Sequence, residues 1–213
     1  MTTETMNVHQ ALAELKTMEK RITDAIRTPE WVVPNKHSNT KIAGIAVAEW
    51  CADVKAKYQK VMDLIRRRDA IKRAVVNSNA VTKVIVAGKE YTVAEAIDRK
   101  NTGTGFLATL AQRMAHDHTM AKTAADRANG LDLERRADEH VKIMIGSSDM
   151  KGATAEAQKL RKEFIEAQTT ELVDPIGVLK VIAELDEEVA SFLTAVDAAL
   201  STSNATTMIT VEY

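Results

Sequence analysis

The chain has 213 residues with 29 Lys and Arg against 30 Asp and Glu, and a net charge of −1 supplies no global field for nucleic acid or an anionic membrane surface. Aromatic residues at 4%, three Pro and eight Gly in an Ala-rich chain argue against a β-sandwich or barrel and for closely packed helices. A single cysteine, Cys51, excludes an intramolecular disulfide, and no apolar run is long enough to span a bilayer; with no signal-peptide pattern, the expected location is cytoplasmic.

From about Asn7 to Arg27, apolar side chains at Val8, Leu12, Leu15, Met18, Ile22 and Ile26 fall three and four apart, which is one helical stripe. Pro29 and Pro34 then bound a loop over 28–45, long for a connection inside a compact domain. Trp31 offers a stacking surface there, and Asn35, Lys36 and His37 offer polar contacts; the alternative is that Trp31 packs on the neighbouring helices. A second helix runs from roughly Ala46 to Val76, with Val47, Trp50, Val54, Val61, Leu64, Ile71 and Val75 on its stripe, and the two helices form an antiparallel hairpin. Arg66, Arg67 and Arg68 make the basic cluster of the chain, either a solvated face or, through Arg66, a phosphate contact.

The stretch from Ala74 to Asn101 changes structure several times. Asn77, Ser78 and Asn79 compete for backbone groups and stop the arriving helix. Val81 to Val86 is β-branched and reads as a strand, and Gly88 turns the chain. Thr92-Val93-Ala94-Glu95 is a capping box that opens a helix. Residues 78–86 align without gaps to residues 203–211, Ser, Asn, Ala, Thr and Val recurring at matching places after a long amphipathic helix. Because a short strand is not stable alone, the expectation is that 81–86 pairs with 207–211; the other reading is a helix stop met twice.

Asn101-Thr102-Gly103-Thr104-Gly105 interrupts that helix, and an Ala-rich helix follows from Phe106 to Ala128, ended by Asn129-Gly130. Val141 to Ile145 reads as a strand or a helix end, broken at Gly146 to Ser148. Asp174-Pro175 starts the last helix as N-cap and first helical residue, with a stripe of Leu179, Ile182, Val189, Leu193, Val196 and Leu200. No Gly/Ser linker divides the chain. The expected fold is therefore one mainly α domain: an N-terminal hairpin over 7–78, a β segment and central helices over 81–170, and a C-terminal helix and strand over 174–213.

Catalytic signatures are missing from the sequence: no Gly-x-Ser-x-Gly elbow, Walker loop, Cys-x-x-Cys or His-Glu-x-x-His. His116 and His118, two apart on a helix, point away from one another, so surface histidines are expected and no metal. Arg99 and Lys100 beside the Thr102–Thr104 loop join two cations to backbone amides that could hold a phosphate; the alternative is a flexible kink with solvated charges.

The order of a helical hairpin, an Asn-x-Asn stop, a short strand, Gly-x-x-Tyr-Thr-Val-Ala-Glu-Ala-Ile-Asp-Arg-Lys and a terminal Asn-x-Thr-Thr-x-Ile strand resembles the septicolysin-like family of small helical proteins and related uncharacterised tailed-phage proteins. The likeness covers roughly residues 7–27, 46–101 and 174–212, with matches at Gly88, Thr92, Glu95, Ala96, Arg99, Asn204 and Thr207; loop 28–45 and 103–171 depart from it. It implies a mainly helical homo-oligomer with no established enzymatic activity; no cofactor is expected. Two functions are expected to compete: a phage-encoded oligomer that sequesters a small nucleotide-derived signalling ligand, and a structural or assembly protein of a phage virion. For the first, the candidate ligand-binding residues are Arg99, Lys100, Thr102, Thr104, Trp31, Asn35, Lys36, His37 and Arg66, gathered across a subunit interface.

Overall fold

The computed structural model describes residues 2–145 and 155–213. The fold is mainly α with small antiparallel strand pairs. In order come β1 (Thr3–Asn7), α1 (Val8–Arg27), β2 (Lys41–Ile42), β3 (Ile45–Ala46), α2 (Val47–Val81), β4 (Lys83–Val86), β5 (Lys89–Thr92) and α3 (Val93–Asp98). A π-helical turn (Arg99–Gly103), α4 (Thr104–Ala128), α5 (Leu131–Ile145), α6 (Ala155–Gln168), α7 (Val178–Thr206) and β6 (Met208–Glu212) follow. The residues cluster in two compact units, Met1–Thr102 with Ser191–Tyr213, and Gly103–Ala190.

The recurrence of residues 78–86 at 203–211 marks two copies of one junction in the first unit. At the end of α2 the Thr82 N–H donates to the Ser78 carbonyl (2.8 Å), and their hydroxyls lie 3.3 Å apart. At the end of α7 the Thr207 N–H donates to the Ser203 carbonyl (2.9 Å), with the hydroxyls 3.5 Å apart. Each threonine carbonyl then accepts the first N–H of another helix, Val93 to Thr82 at 2.9 Å and Val8 to Thr207 at 3.0 Å. Both receiving helices open with a reciprocal capping box, Thr92 with Glu95 and Asn7 with Gln10.

The strands repeat the pattern in the same register. Lys83, Val84, Ile85 and Val86 face Thr92, Tyr91, Glu90 and Lys89; Met208, Ile209, Thr210 and Val211 face Asn7, Met6, Thr5 and Glu4. The expected pairing of 81–86 with 207–211 is thus corrected: each of those strands pairs with a different neighbour. β4 closes locally on β5 through Ala87 and Gly88, whose φ of 49° and 78° make the left-handed two-residue turn that matches strand twist. β6 finds β1, a strand hidden in the unremarkable Thr-Glu-Thr-Met-Asn just before the helix expected at Asn7. The helix stop is corrected too. Asn77, Ser78 and Asn79 lie in the last turns of α2, which runs on to Val81.

Period-two burial places the two cores. Val84, Val86, Val93 and Ala96 pack with Phe192 and Val196 of α7; Ile209, Val211, Val8 and Ala11 pack with Ile71 and Val75 of α2, joined by Met6 and Met18. The hairpin that leaves α2 therefore packs on α7, while the strand that leaves α7 packs on α2. The two copies exchange their β elements, and neither core is complete without the chain from the other. Removing either cap in this frame, by Asn7→Ala or Thr92→Ala, is expected to cost about 1 kcal/mol in urea denaturation, with serine at either place restoring most of it.

In loop 28–45 the Trp31 indole N–H donates to the Ile26 carbonyl (3.0 Å), so the ring packs back on α1, and β2 and β3 form a small hairpin turned by Ala43 and Gly44. In the second unit, residues 141–145 are helical, the end of α5, whose Leu133, Ala137 and Val141 are buried. His140 stacks on Phe164 of α6 at 4.7 Å, and Arg161 bridges to Asp138 at 2.8 Å. The break expected at Gly146 to Ser148 lies outside the described residues. Asp174 does cap the last helix, its carboxylate accepting from the amides of Ile176, Gly177 and Val178, but α7 begins at Val178 and Pro175 belongs to the preceding turn. No described helix is long and apolar enough to cross a membrane.

Candidate ligand-binding site

The capping box at Thr92 starts α3 and brings Arg99 and Lys100 round to the second core of the first unit. Phe192, only 2% exposed, meets the Tyr91 ring edge-on at 5.6 Å. The Arg99 guanidinium carbon lies 5.2 Å from the Phe192 ring centre and 5.8 Å from that of Tyr91. A planar cation is thus held on an aromatic shelf, where the electron-rich ring faces favour it. Lys100 reaches across to Asp197 of α7, Nζ to Oδ1 at 2.5 Å, so its charge is countered within the chain.

The backbone beyond these cations departs from the sequence expectation. Residues 99–103 form a π-helical turn and Gly103 has helical dihedrals (φ −61°, ψ −42°), so Thr102 to Gly105 is no loop presenting free amides to a phosphate. One extra residue is accommodated inside the helix, which continues through Gly103 and Gly105 into α4. Thr104 is 6% exposed and turned inward, so it is not an open ligand contact, whereas Thr102 is exposed.

Comparison with family models, curated proteins and solved structures returns no match for this chain. Residue roles therefore rest on geometry. Asn35, Lys36 and His37 are exposed in the first loop, where the Asn35 side chain accepts from Asn39 (3.1 Å). Arg66 is exposed on α2 and sits 3.4 Å from Asp63. Each expected site residue thus has its own local surroundings within one chain.

The position in the first core that corresponds to Phe192 is Arg67, and the one that corresponds to Arg99 is Glu14. There the guanidinium is bound to Glu14 (2.6 Å) and Glu4 (2.9 Å), donates to the Tyr213 hydroxyl and lies over that ring. The hydrogen bond from Arg67 holds the Glu14 carboxyl below its ordinary range, against the opposing effect of burial, and the carboxylates push the guanidinium up. One copy of the junction carries an ion pair and the other an arginine on aromatic rings. The first ties Glu14 and Glu4 to α2, and the second sets a guanidinium beside Tyr91 and Phe192.

Two grooves went unanticipated, although the repeated Ser-Asn-Ala-x-Thr was the signal for them. One runs between β4 and α7, past Ile85, Ala195, Ala198, Ala199 and Thr202; the other runs between β6 and α2, past Thr210, Ala70, Arg73, Ala74 and Asn77. They occupy equivalent places with different chemistry: small and hydroxylic apart from Lys83 and the strand's Val84 and Ile85 in the first, with Arg73, Glu212 and Asn77 in the second. In the second unit an apolar hollow of about 300 Å³ lies between α4 and residues 172–178, edged by Met114, His118, Leu172 and Ile176.

Proposed function

We propose that the protein is a non-enzymatic, homo-oligomeric binding protein that sequesters a small anionic nucleotide-type ligand, with Arg99 as its anchoring cation. The observation that carries this reading is the half-buried Arg99 guanidinium, whose central carbon lies 5.2 Å from the Phe192 ring centre and 5.8 Å from that of Tyr91. A guanidinium fork suits bidentate contact with a phosphate. The exposed loop with Asn35, Lys36 and His37 is assigned to the neighbouring subunit's side of the site. In a phage-infected cell this activity would withdraw a host signalling nucleotide from its receptor.

The test is calorimetry of the assembled protein with cyclic and ADP-ribose-type nucleotides, comparing wild type with Arg99→Lys and Lys36→Ala. Arg99→Lys keeps the charge and loses the fork, so affinity is expected to fall by roughly tenfold to a hundredfold, the loss of a charge-assisted contact. Absence of binding by wild type would overturn the reading. It would favour a structural virion protein, which exposed apolar side chains such as Leu131 (87%) and Ile143 (81%) also suit. Mass spectrometry of purified particles distinguishes the two, because a virion part must be present in them.

A further inference from the structure

Helix α4 carries two stripes. The inner one, Thr104, Ala111 and Ala125 with the half-buried Leu107 and Met114, faces the protein. The outer one is Phe106, Leu110, Arg113, Asp117, Met120 and Ala124, at spacings of four, three, four, three and four, which is the heptad seam of a helix that packs along another helix. All six outer residues are exposed, Phe106 at 70% and Met120 at 57%. At the centre of this seam Arg113 and Asp117 are paired with each other, Nε to Oδ2 at 2.9 Å.

Read backwards, the seam is its own complement. We propose that α4 is a homodimer interface, in which the α4 helices of two copies pack antiparallel about a two-fold axis level with Ala115. That axis sets Arg113 opposite Asp117 of the second copy twice over, Leu110 opposite Met120 twice, and the large Phe106 opposite the small Ala124 at each end. Charge, apolar contact and size all match in one register, and an isologous interface requires that self-matching. A parallel copy would instead face arginine with arginine and aspartate with aspartate, a like-charge arrangement that excludes it. A different protein would have to reproduce this order of residues, whereas a second copy supplies it by symmetry. The seam spans roughly 27 Å along the helix, the length of a short coiled coil. This inference is independent of the nucleotide reading: a dimer that binds no ligand leaves it intact.

The test uses the full chain in a Cys51→Ser background. Leu110→Cys/Met120→Cys is expected to give a covalent dimer on mild oxidation, while either single cysteine gives none, since the antiparallel register separates like positions. Arg113→Asp, at an exposed site where helicity should be unchanged by circular dichroism, is expected to weaken the dimer at least tenfold in sedimentation equilibrium. Arg113→Asp/Asp117→Arg should restore it. A wild type that sediments as a monomer at micromolar concentration overturns the proposal. So does a double-cysteine variant that fails to cross-link, or a charge reversal that leaves association unchanged.

Discussion

Ile71→Ala is expected to destabilise the first unit by about 3 kcal/mol, within the range for truncating a fully buried aliphatic side chain that leaves a cavity. Ile71 is 0% exposed and packs in the cluster that holds Met18, Val75 and Val211. Val196, likewise 0% exposed, is its counterpart in the other cluster, and Val196→Ala should cost about 2 kcal/mol because less is removed. The informative result is which transition moves. Since the chain leaving α2 completes the core on α7, and the chain leaving α7 completes the core on α2, neither core can melt alone. Both substitutions should shift one and the same cooperative transition, and the double variant should lose about the sum, the two clusters being separate. Trp31 and Trp50 both belong to the first unit, so tryptophan fluorescence in urea follows that transition alone. Two transitions, each sensitive to one substitution, would refute the exchanged arrangement.

How much of this was legible in the chain depended on whether the signal was local. The stripes of α1 and α2, the Thr92–Glu95 capping box and the turn at Gly88 rest on residues within a few positions of each other, and the structure bears them out except that Leu12 and Ile26 of the α1 stripe are exposed. The Ser-Asn-Ala-x-Thr recurrence was visible but pointed to the wrong consequence. Similar sequence marks equivalent environments, and two strands in equivalent environments need separate partners. The second partner, β1, gave little warning because only Met6 of its five residues is buried. Asn7 with Gln10 three residues later was the available cue, a polar version of the box at Thr92. The Thr102–Gly105 stretch misled for another reason. Glycines that commonly free a loop here sit at a π-helical turn through which the helix continues. Of the candidate site, the sequence could mark Arg99 as a cation, but not the aromatic shelf beneath it, since Phe192 lies 93 residues away and reaches it through tertiary packing.

Arg67→Met is expected to cost about 2 kcal/mol at neutral pH and progressively less in acid. Arg67 and Glu14 are each about three-quarters buried, at 23% and 24% exposure, and removing the cation leaves Glu4 and Glu14 facing one another without it. Breaking a fully buried pair costs more and an exposed pair costs little, so an intermediate figure fits this burial. The pH dependence follows from Glu14. Its carboxyl is held below the ordinary value of 4.5, first by the hydrogen bond from Arg67, with burial opposing. A depressed carboxyl contributes stability above its unfolded value, and that contribution is lost as pH falls through the folded value. Arg67 is pushed up from an already high value, so it stays charged throughout this range and adds no slope. The wild-type advantage should therefore be full at pH 7, begin to shrink below about 4.5 and narrow further toward pH 3. Glu14→Gln should lose less than Arg67→Met, because the amide oxygen still accepts from the guanidinium. Urea denaturation of the three proteins across this range measures the effect. Parallel stability curves for wild type and Arg67→Met would show that the ion pair does not set the acid limb, and no loss in Glu14→Gln beside a full loss in Arg67→Met would place the cost in packing against Tyr213.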